Sequence, residues 1–422
     1  MSSYFNIKHA TKDLEVVKVF CYRHRSEQEF IAAGVICDEL IRLYEDECDK
    51  FDDLVKSSEN IITYAASSAP CVNEGKKQAI EYKNLDGLLP FISGILYDSE
   101  RDILYSVIED IVDLHWKIRG KKSLSNVRDT DSFIKYFTET GNDANVIKSV
   151  VRRLQDTYGG QIGTLNVMES ESLMSLPLLL SEITLKKLSF AFYANPDDFS
   201  HLIPTLTAAS QCRVAVILRF INQWLYGEDG NADSYLAKAE TCMKFEGRLT
   251  EHGIRGLPKC LGILHLRTDL DALRELSVHI QELSQLRILE LKIHDDGSYD
   301  PGSSLTPIDF TGGEFTVEFS TSLDVTVGAN MERMARILNA FWPPNRKSSE
   351  DEITFLHLLP PSPTTFTEDG VKLLATNLTI QPLSLFKIFD VEEEAFEKEE
   401  EYSQLFKDKG FGIFQFSKVN WG

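Results

Sequence analysis

The strongest constraint on the fold is a leucine spacing that recurs in the second half of the chain. Leu261-x-x-Leu264-x-Leu266 and Leu286-x-x-Leu289-x-Leu291 match leucine on leucine, 25 residues apart. A unit of this length cannot bury its own leucines and must stack on a neighbour. The pattern therefore predicts strand-containing units packed side by side after Gly163.

The same spacing, L-x-x-L-x-L at intervals of roughly 20 to 29 residues, is the leucine-rich-repeat signature. The asparagine or cysteine that usually follows the strand is missing, since Arg267 and Lys292 stand there. We therefore expect degenerate leucine-rich repeats over 164–389; the alternative is an ordinary α/β domain in which the leucines coincide. Further candidate strands are Leu185–Phe190, Val214–Phe220, Phe315–Phe319, Leu323–Val327, Ile353–Leu359 and Leu374–Ile380, while Leu273–Val278 fits either a strand or a helix.

Residues 1–160 are predicted to be overwhelmingly helical. Apolar residues recur at helical spacing in 100–118, and two further amphipathic stretches cover 131–138 and 144–157. Tyr158-Gly159-Gly160 supplies C-cap chemistry for the last of these helices. We expect an all-α helical domain over 47–163.

The end of the chain, 390–422, combines an acidic block with a final strand. Residues 390–402 are rich in glutamate, and Gly410–Phe416 consists mainly of glycine, aromatic and aliphatic residues. We interpret this segment as a solvated helix before a capping strand. An acidic latch or partner-binding tail is the alternative.

Composition excludes several functions. The 422 residues carry a net charge of −21, whereas a nucleic-acid or anionic-membrane binder needs a basic footprint. No apolar run approaches the roughly 20 residues that span a bilayer. The polar start of the chain and seven scattered cysteines without a C-x-x-C pair predict a cytoplasmic protein with reduced thiols.

No motif predicts catalysis, so we expect a non-enzyme. Gly120-Lys121-Lys122-Ser123 lacks both the upstream glycine and the Ser or Thr directly after its first lysine that a phosphate-binding loop requires. Gly75-Lys76-Lys77 fails in the same way, and both are interpreted as basic loops. The oxygen-rich stretch His294–Asp300 fails the EF-hand spacing, so we predict a polar loop and no metal site.

One stretch near the start is more specific. A β-branched and aromatic strand ends at Phe20-Cys21-Tyr22-Arg23-His24, and Ser26 to Ala33 begins a helix in which Ser26 and Glu29 can form a capping box. The pattern of Phe20, Tyr22, His24, Ser26, Gln28, Glu29, Phe30, Ala32 and Ala33 resembles the end of the winged-helix domain in NLR proteins, the NACHT–leucine-rich-repeat branch of the STAND ATPases. Leu85–Tyr97 is a weaker match to a segment of the helical domain that follows in that family.

The resemblance implies a multidomain protein: a winged-helix remnant (1–46), an all-α helical domain (47–163), an α/β leucine-rich-repeat solenoid (164–389) and an acidic segment with a cap strand (390–422). It also implies that His24 could contact the β-phosphate of ADP, but only with a NACHT module that this chain lacks. We therefore expect no cofactor in this chain, with ADP or ATP relevant only where that module is supplied. The default role of His24 is structural.

The implied function is a non-catalytic sensor or regulatory fragment in innate-immune-type signalling, which recognises a protein or pathogen-derived ligand through its repeats. A constitutive scaffold or adaptor, such as a ubiquitin-ligase substrate receptor, is the alternative. An enzyme of unrecognised type is a further competitor, although the sequence offers no convergent nucleophile and base.

Overall fold

The chain forms two compact units, Met1–Lys186 and Lys187–Gly422, each described here by itself. The structure is a computed structural model. It describes residues 5–12, 15–22, 25–46, 87–119, 127–158, 162–167, 173–192, 202–220, 236, 238–298, 305–343, 353–380 and 383–418.

The first unit begins with an antiparallel hairpin and continues with helices. Strands β1 and β2 pair from Phe5 opposite Tyr22 to Lys12 opposite Glu15. The elements are β1 (Phe5–Lys12), β2 (Glu15–Tyr22), α1 (Arg25–Asp46), α2 (Leu89–Ser99), α3 (Arg101–Arg119), α4 (Val127–Glu139), α5 (Ala144–Tyr158), β3 (Ile162–Val167) and α6 (Leu176–Glu182).

The helices of this unit pack through the apolar stripes that the sequence predicts. In α3, Leu104, Ile108 and Ile111 are almost completely buried. Burial of each such side chain stabilises the fold by about 1.5–3 kcal/mol. At the end of α3, the buried His115 places Nδ1 2.9 Å from the hydroxyl oxygen of Tyr136 in α4. The predicted helices at 100–118, 131–138 and 144–157 are confirmed to within a few residues.

The second unit alternates strands and helices. Its elements are β4 (Leu185–Phe192), α7 (Leu202–Gln211), β5 (Ala215–Phe220), β6 (Cys242–Arg248), α8 (Glu251–Arg255), β7 (Ile263–Thr268), α9 (Leu270–His279), a 3-10 turn (Ile280–Glu282), β8 (Ile288–Asp295), β9 (Glu314–Thr321), α10 (Gly328–Phe341), β10 (Ile353–Leu359), α11 (Glu368–Asn377), β11 (Leu383–Phe389), α12 (Glu393–Phe396), α13 (Glu399–Asp408) and β12 (Phe411–Ser417).

The strands β3 to β12 lie in one ten-stranded, all-parallel sheet, and they follow one another in chain order. In register, Leu266 lies beside Leu291, Leu291 beside Val317, and Val317 beside Leu356. All four side chains are fully buried, so they form a continuous apolar row. Because the strand order does not reverse among the described strands, the sheet has no topological switch point, where doubly wound sheets place their ligands.

The expected fold class is wrong. We predicted an all-α N-terminal part followed by a leucine-rich-repeat solenoid, whereas the structure has one ten-stranded parallel α/β sheet. The first 163 residues also contain β1, β2 and the start of β3. The L-x-x-L-x-L pattern marks a buried strand face, and any parallel sheet covered by helices requires the same face.

Two predicted strands are also wrong. Residues 323–327 form bends and turns, and Leu374–Ile380 falls largely within α11. Thr367 caps α11, since its Oγ1 accepts a hydrogen bond from the Gly370 backbone N–H at 3.1 Å. The ambiguous Leu273–Val278 is helical and belongs to α9.

Other predicted elements are confirmed. The predicted strands at 185–190, 214–220, 315–319 and 353–359 correspond to β4, β5, β9 and β10, and the final strand corresponds to β12. The acidic stretch 390–402 contains α12 and the start of α13, and these helices precede the final strand as interpreted. The division of the chain into four segments stays a prediction.

Candidate functional site

The candidate site is the half-exposed face of the parallel sheet in the second unit, which we call the open face. Side chains alternate along each strand, so that one set is buried and the other is half-exposed, as in β5, β7 and β9. One open-face row runs in register across eight strands, from charged residues to apolar ones. Its members are Arg219, Glu246, His265, Glu290, Thr316, Phe355, Leu385 and Ile413.

A histidine between two glutamates lies at the centre of this row. His265 Nδ1 is 3.5 Å from Glu290 Oε2 and 3.9 Å from Glu246 Oε2. Burial lowers the pKa of His265, and Lys244 lowers it further. Burial also raises the pKa of the Glu290 carboxyl. At neutral pH the imidazole is therefore uncharged, and it offers a ligand both a donor and an acceptor nitrogen.

The next open-face row is cationic. Arg248, Arg267 and Lys292 lie side by side in register on β6, β7 and β8. Burial lowers the pKa of Arg267, and the neighbouring Arg248 lowers it further. An arginine nevertheless stays charged at neutral pH. The row therefore concentrates positive charge on a chain whose net charge is −21.

Acidic groups offset part of this charge. Lys292 Nζ is 3.3 Å from Glu318 Oε2, and Arg248 lies 3.9 Å from Asp269. These groups are partly exposed, so each ion pair contributes little stability, typically 0–1 kcal/mol. These ion pairs hold the long side chains of Arg248 and Lys292 against the sheet, and the row keeps an excess of positive charge.

His294 lies at the carboxyl end of the same region, between two serines. Its Nδ1 is 3.0 Å from Ser320 Oγ, and its Nε2 is 2.8 Å from Ser322 Oγ. Ser320 Oγ donates to the Ile293 carbonyl oxygen at 3.2 Å, so it can accept the Nδ1–H of His294. Because Nδ1 contacts a hydroxyl rather than a carboxylate, these residues do not form a Ser–His–acid triad.

A depression lies at the amino-terminal edge of the open face. Its volume is about 600 Å³, and its lining includes the apolar side chains of Ile217, Met243, Ile263 and Ile288. Lys187 and Arg287 also line it, and among the described residues neither pairs with an acidic side chain. The depression can therefore hold an aliphatic group that lies next to an anion.

On the other side of β8, a buried ion pair fixes the strand end. Asp295 is 2 % exposed, and its carboxylate accepts hydrogen bonds from Arg333 Nε at 2.7 Å and Nη2 at 2.8 Å. The Gly297 backbone N–H donates to the same carboxylate at 3.0 Å. Asp295 thus joins β8 to α10, and it is committed to the fold rather than to a ligand.

The sequence-predicted site residue, His24, lies outside the described residues. The strand-to-helix change around it is confirmed, since β2 ends at Tyr22 and α1 begins at Arg25. The basic loops at 75–77 and 120–123 also lie outside the described residues, as does the end of the His294–Asp300 stretch. In the described part of the chain, no cluster of three or more His, Cys, Asp or Glu side chains is arranged to hold a metal.

No family model matches the chain, and no curated protein matches it. None of the described helices combines the length and apolarity needed to cross a membrane. The NLR resemblance therefore stays a prediction that rests on the motif around His24.

Sequence reasoning missed the open-face residues. The signal was present in the repeats themselves, because the residue between the last two leucines is His265 in one unit and Glu290 in the other. A polar or charged residue between two buried leucines on a strand points to the opposite face. Strand register decides which of these side chains are neighbours, and the spacing of the two clearest units alone does not provide that register.

Proposed function

We propose that this chain is a non-catalytic recognition protein whose ligand is a protein that binds to the open face. The observation that carries the proposal is the open-face row of eight residues that stays in register from β5 to β12. Half-exposed charged and aromatic side chains on a rigid sheet provide specific contacts at little cost in ordering.

The wider role that we propose is regulatory. The motif around His24 favours a sensor fragment in innate-immune-type signalling, in which a nucleotide-binding module is supplied elsewhere. A constitutive scaffold or adaptor is the second candidate, because an open sheet face serves both roles equally well. The two differ in whether partner binding responds to nucleotide.

Photo-crosslinking tests the proposal. A photoreactive amino acid is placed at Thr316 on the open face, and a matched one at Val278 on α9, whose side chain is 64 % exposed. In an extract of the organism's own cells, we expect discrete crosslinked products from position 316 and none from position 278. Equal crosslinking from both positions would contradict the proposal.

The same experiment with and without ADP separates the two roles. A sensor fragment that works with a NACHT module should give crosslinks that change when ADP is added. A constitutive scaffold should give the same crosslinks under both conditions.

A further inference from the structure

We infer that the β4–β8 part of the open face binds an acidic polypeptide segment, and that an aliphatic side chain of this segment occupies the depression. The inference rests on the proposed function and specifies the chemistry of the partner. Charge, an unsatisfied donor and the position of the depression support it.

The first observation is an excess of positive charge on the β4–β8 part of the open face. The open-face positions of β4 to β8 carry six cationic side chains and two acidic ones. The cations are Lys187, Arg219, Lys244, Arg248, Arg267 and Lys292, and the acids are Glu246 and Glu290. On a chain with a net charge of −21, this local excess of positive charge attracts an acidic partner and repels a second basic surface.

The second observation is an unsatisfied hydrogen-bond donor in the side chain of Arg219. Arg219 Nε is buried and, in the described part of the chain, has no hydrogen-bond acceptor. A buried donor that stays unpaired costs about 1–3 kcal/mol, so an incoming acceptor would recover part of that free energy. A carboxylate is the natural acceptor because it can bind a guanidinium through two parallel hydrogen bonds.

The third observation is the position of the depression relative to Arg219. Ile217 in its lining and Arg219 are two residues apart on β5, so they share the open face at a spacing of about 6.6 Å. An extended peptide repeats its own side chains at the same spacing. A segment with Leu or Ile two residues from Glu or Asp can therefore place its aliphatic side chain in the depression and its carboxylate at Arg219 at the same time.

Nucleic acid fits this surface less well. The open-face positions of β4 to β8 include no Phe, Tyr or Trp on which bases could stack. Glu246 and Glu290 also interrupt the positive charge that a phosphate backbone would follow. Acidic peptides place charge at discrete points, which suits an interrupted pattern.

Fluorescence anisotropy on the full chain tests the inference. The probes are three fluorescein-labelled synthetic peptides: an acidic peptide in which each Leu lies two residues from a Glu, its Leu-to-Ser analogue, and its Glu-to-Lys analogue. We expect binding of the first alone, with affinity that falls as salt rises. Equal binding of the Ser analogue would overturn the role of the depression, and binding of the Lys analogue would overturn the role of charge.

Charge reversal provides the matched variants. The double substitution Lys187→Glu with Arg287→Glu should weaken binding of the Leu–Glu peptide about tenfold. Lys407→Glu, at an exposed position on α13 and away from the open face, should leave it within about twofold. Arg219→Met is a second, independent variant that should also weaken binding. Unchanged affinity in both the double variant and Arg219→Met would overturn the inference.

Ligands of the open face other than an acidic peptide would give distinct experimental results. Saturable binding of myristate without peptide binding would overturn the inference in favour of a lipid. Concentration-dependent dimerisation in sedimentation, abolished by the double substitution, would overturn it in favour of a second copy of the chain. Crosslinking from Thr316 that persists without peptide binding would defeat this inference alone and leave the proposed function standing.

Discussion

The two faces of β8 use alternate residues of one strand for different purposes. Leu289 and Leu291 are fully buried. Glu290 and Lys292, on the opposite face, are half-exposed and contact polar side chains of the neighbouring strands, His265 and Glu318. Substitutions on the first face should change the free energy of unfolding, and those on the second should change binding. The comparison teaches that stability and recognition can be separated within a single strand.

The largest effect is expected at the buried ion pair. Asp295→Ala removes the carboxylate from Arg333, whose side chain is only 14 % exposed. Loss of one partner of a buried pair typically costs about 3–5 kcal/mol. Urea unfolding measures the change, and Glu332→Ala, at an exposed position on the same helix, should stay within about 0.5 kcal/mol. Equal effects of the two variants would show that Asp295 does not fix the strand end.

Adjacent residues of β8 provide the closest comparison. Leu291→Ala leaves a cavity in the buried row and should cost about 2–5 kcal/mol in urea unfolding. Lys292→Ala removes only partly exposed ion pairs and should cost less than about 1 kcal/mol. If Lys292→Ala were the more destabilising of the two, the assignment of the faces would be reversed.

A smaller effect is expected at a helix cap. Thr367→Ala removes the hydrogen bond from the Gly370 N–H and should cost about 1 kcal/mol. Thr367→Ser retains the accepting oxygen and should recover most of the loss. Thermal or urea unfolding of both variants measures the difference, and an equal loss in both would exclude a capping role.

The pH dependence of stability tests the open face itself. Burial lowers the pKa of His265, His294 and His357 in the folded chain, and the unfolded chain therefore binds their protons at higher pH. The free energy of unfolding should consequently decrease as pH falls below about 6.5. Burial raises the pKa of the Glu290 carboxyl, so the folded chain binds this proton more readily than the unfolded chain. The contribution of Glu290 to the free energy of unfolding therefore increases as pH falls, opposite to that of the histidines.

Substitution separates these contributions. Changing the three histidines to Gln should flatten the acid slope, and Glu290→Gln should steepen it. Urea unfolding at several pH values between 7 and 5 measures, for each variant, how the free energy of unfolding changes with pH. An acid slope that is unchanged in the triple variant would show that these histidines are as solvated in the folded chain as in the unfolded chain.

The sequence predicted much of the secondary structure because the patterns are local. Strands β9 and β10 combine β-branched and aromatic residues with alternating burial, and α3 carries a clear apolar stripe. Strand β6 was missed because Lys244, Glu246 and Arg248 occupy its open face and dilute the apolar signal. The apolar run Leu374–Ile380 by itself predicts a strand, but the cap at Thr367 begins a helix that continues through Asn377.

The fold class and the site depended on long-range information. The recurring leucines predict a buried strand face, but they do not specify how the strands are ordered or how the helices cover them. The grouping of Arg248, Arg267 and Lys292 follows from strand register across three strands. The family resemblance singles out His24, whereas the open-face residues become neighbours only through the register of adjacent strands.

Hydroxyl-radical footprinting of the chain with its crosslinked partner tests the central claim most directly. We predict that oxidation of Met243 and Phe355 decreases in the complex, because both side chains lie on or beside the open face. Oxidation of Val278 and Leu405, which are exposed on α9 and α13, should be unchanged. Protection of Val278 and Leu405 with unchanged Met243 and Phe355 would contradict the assignment of the open face as the recognition surface.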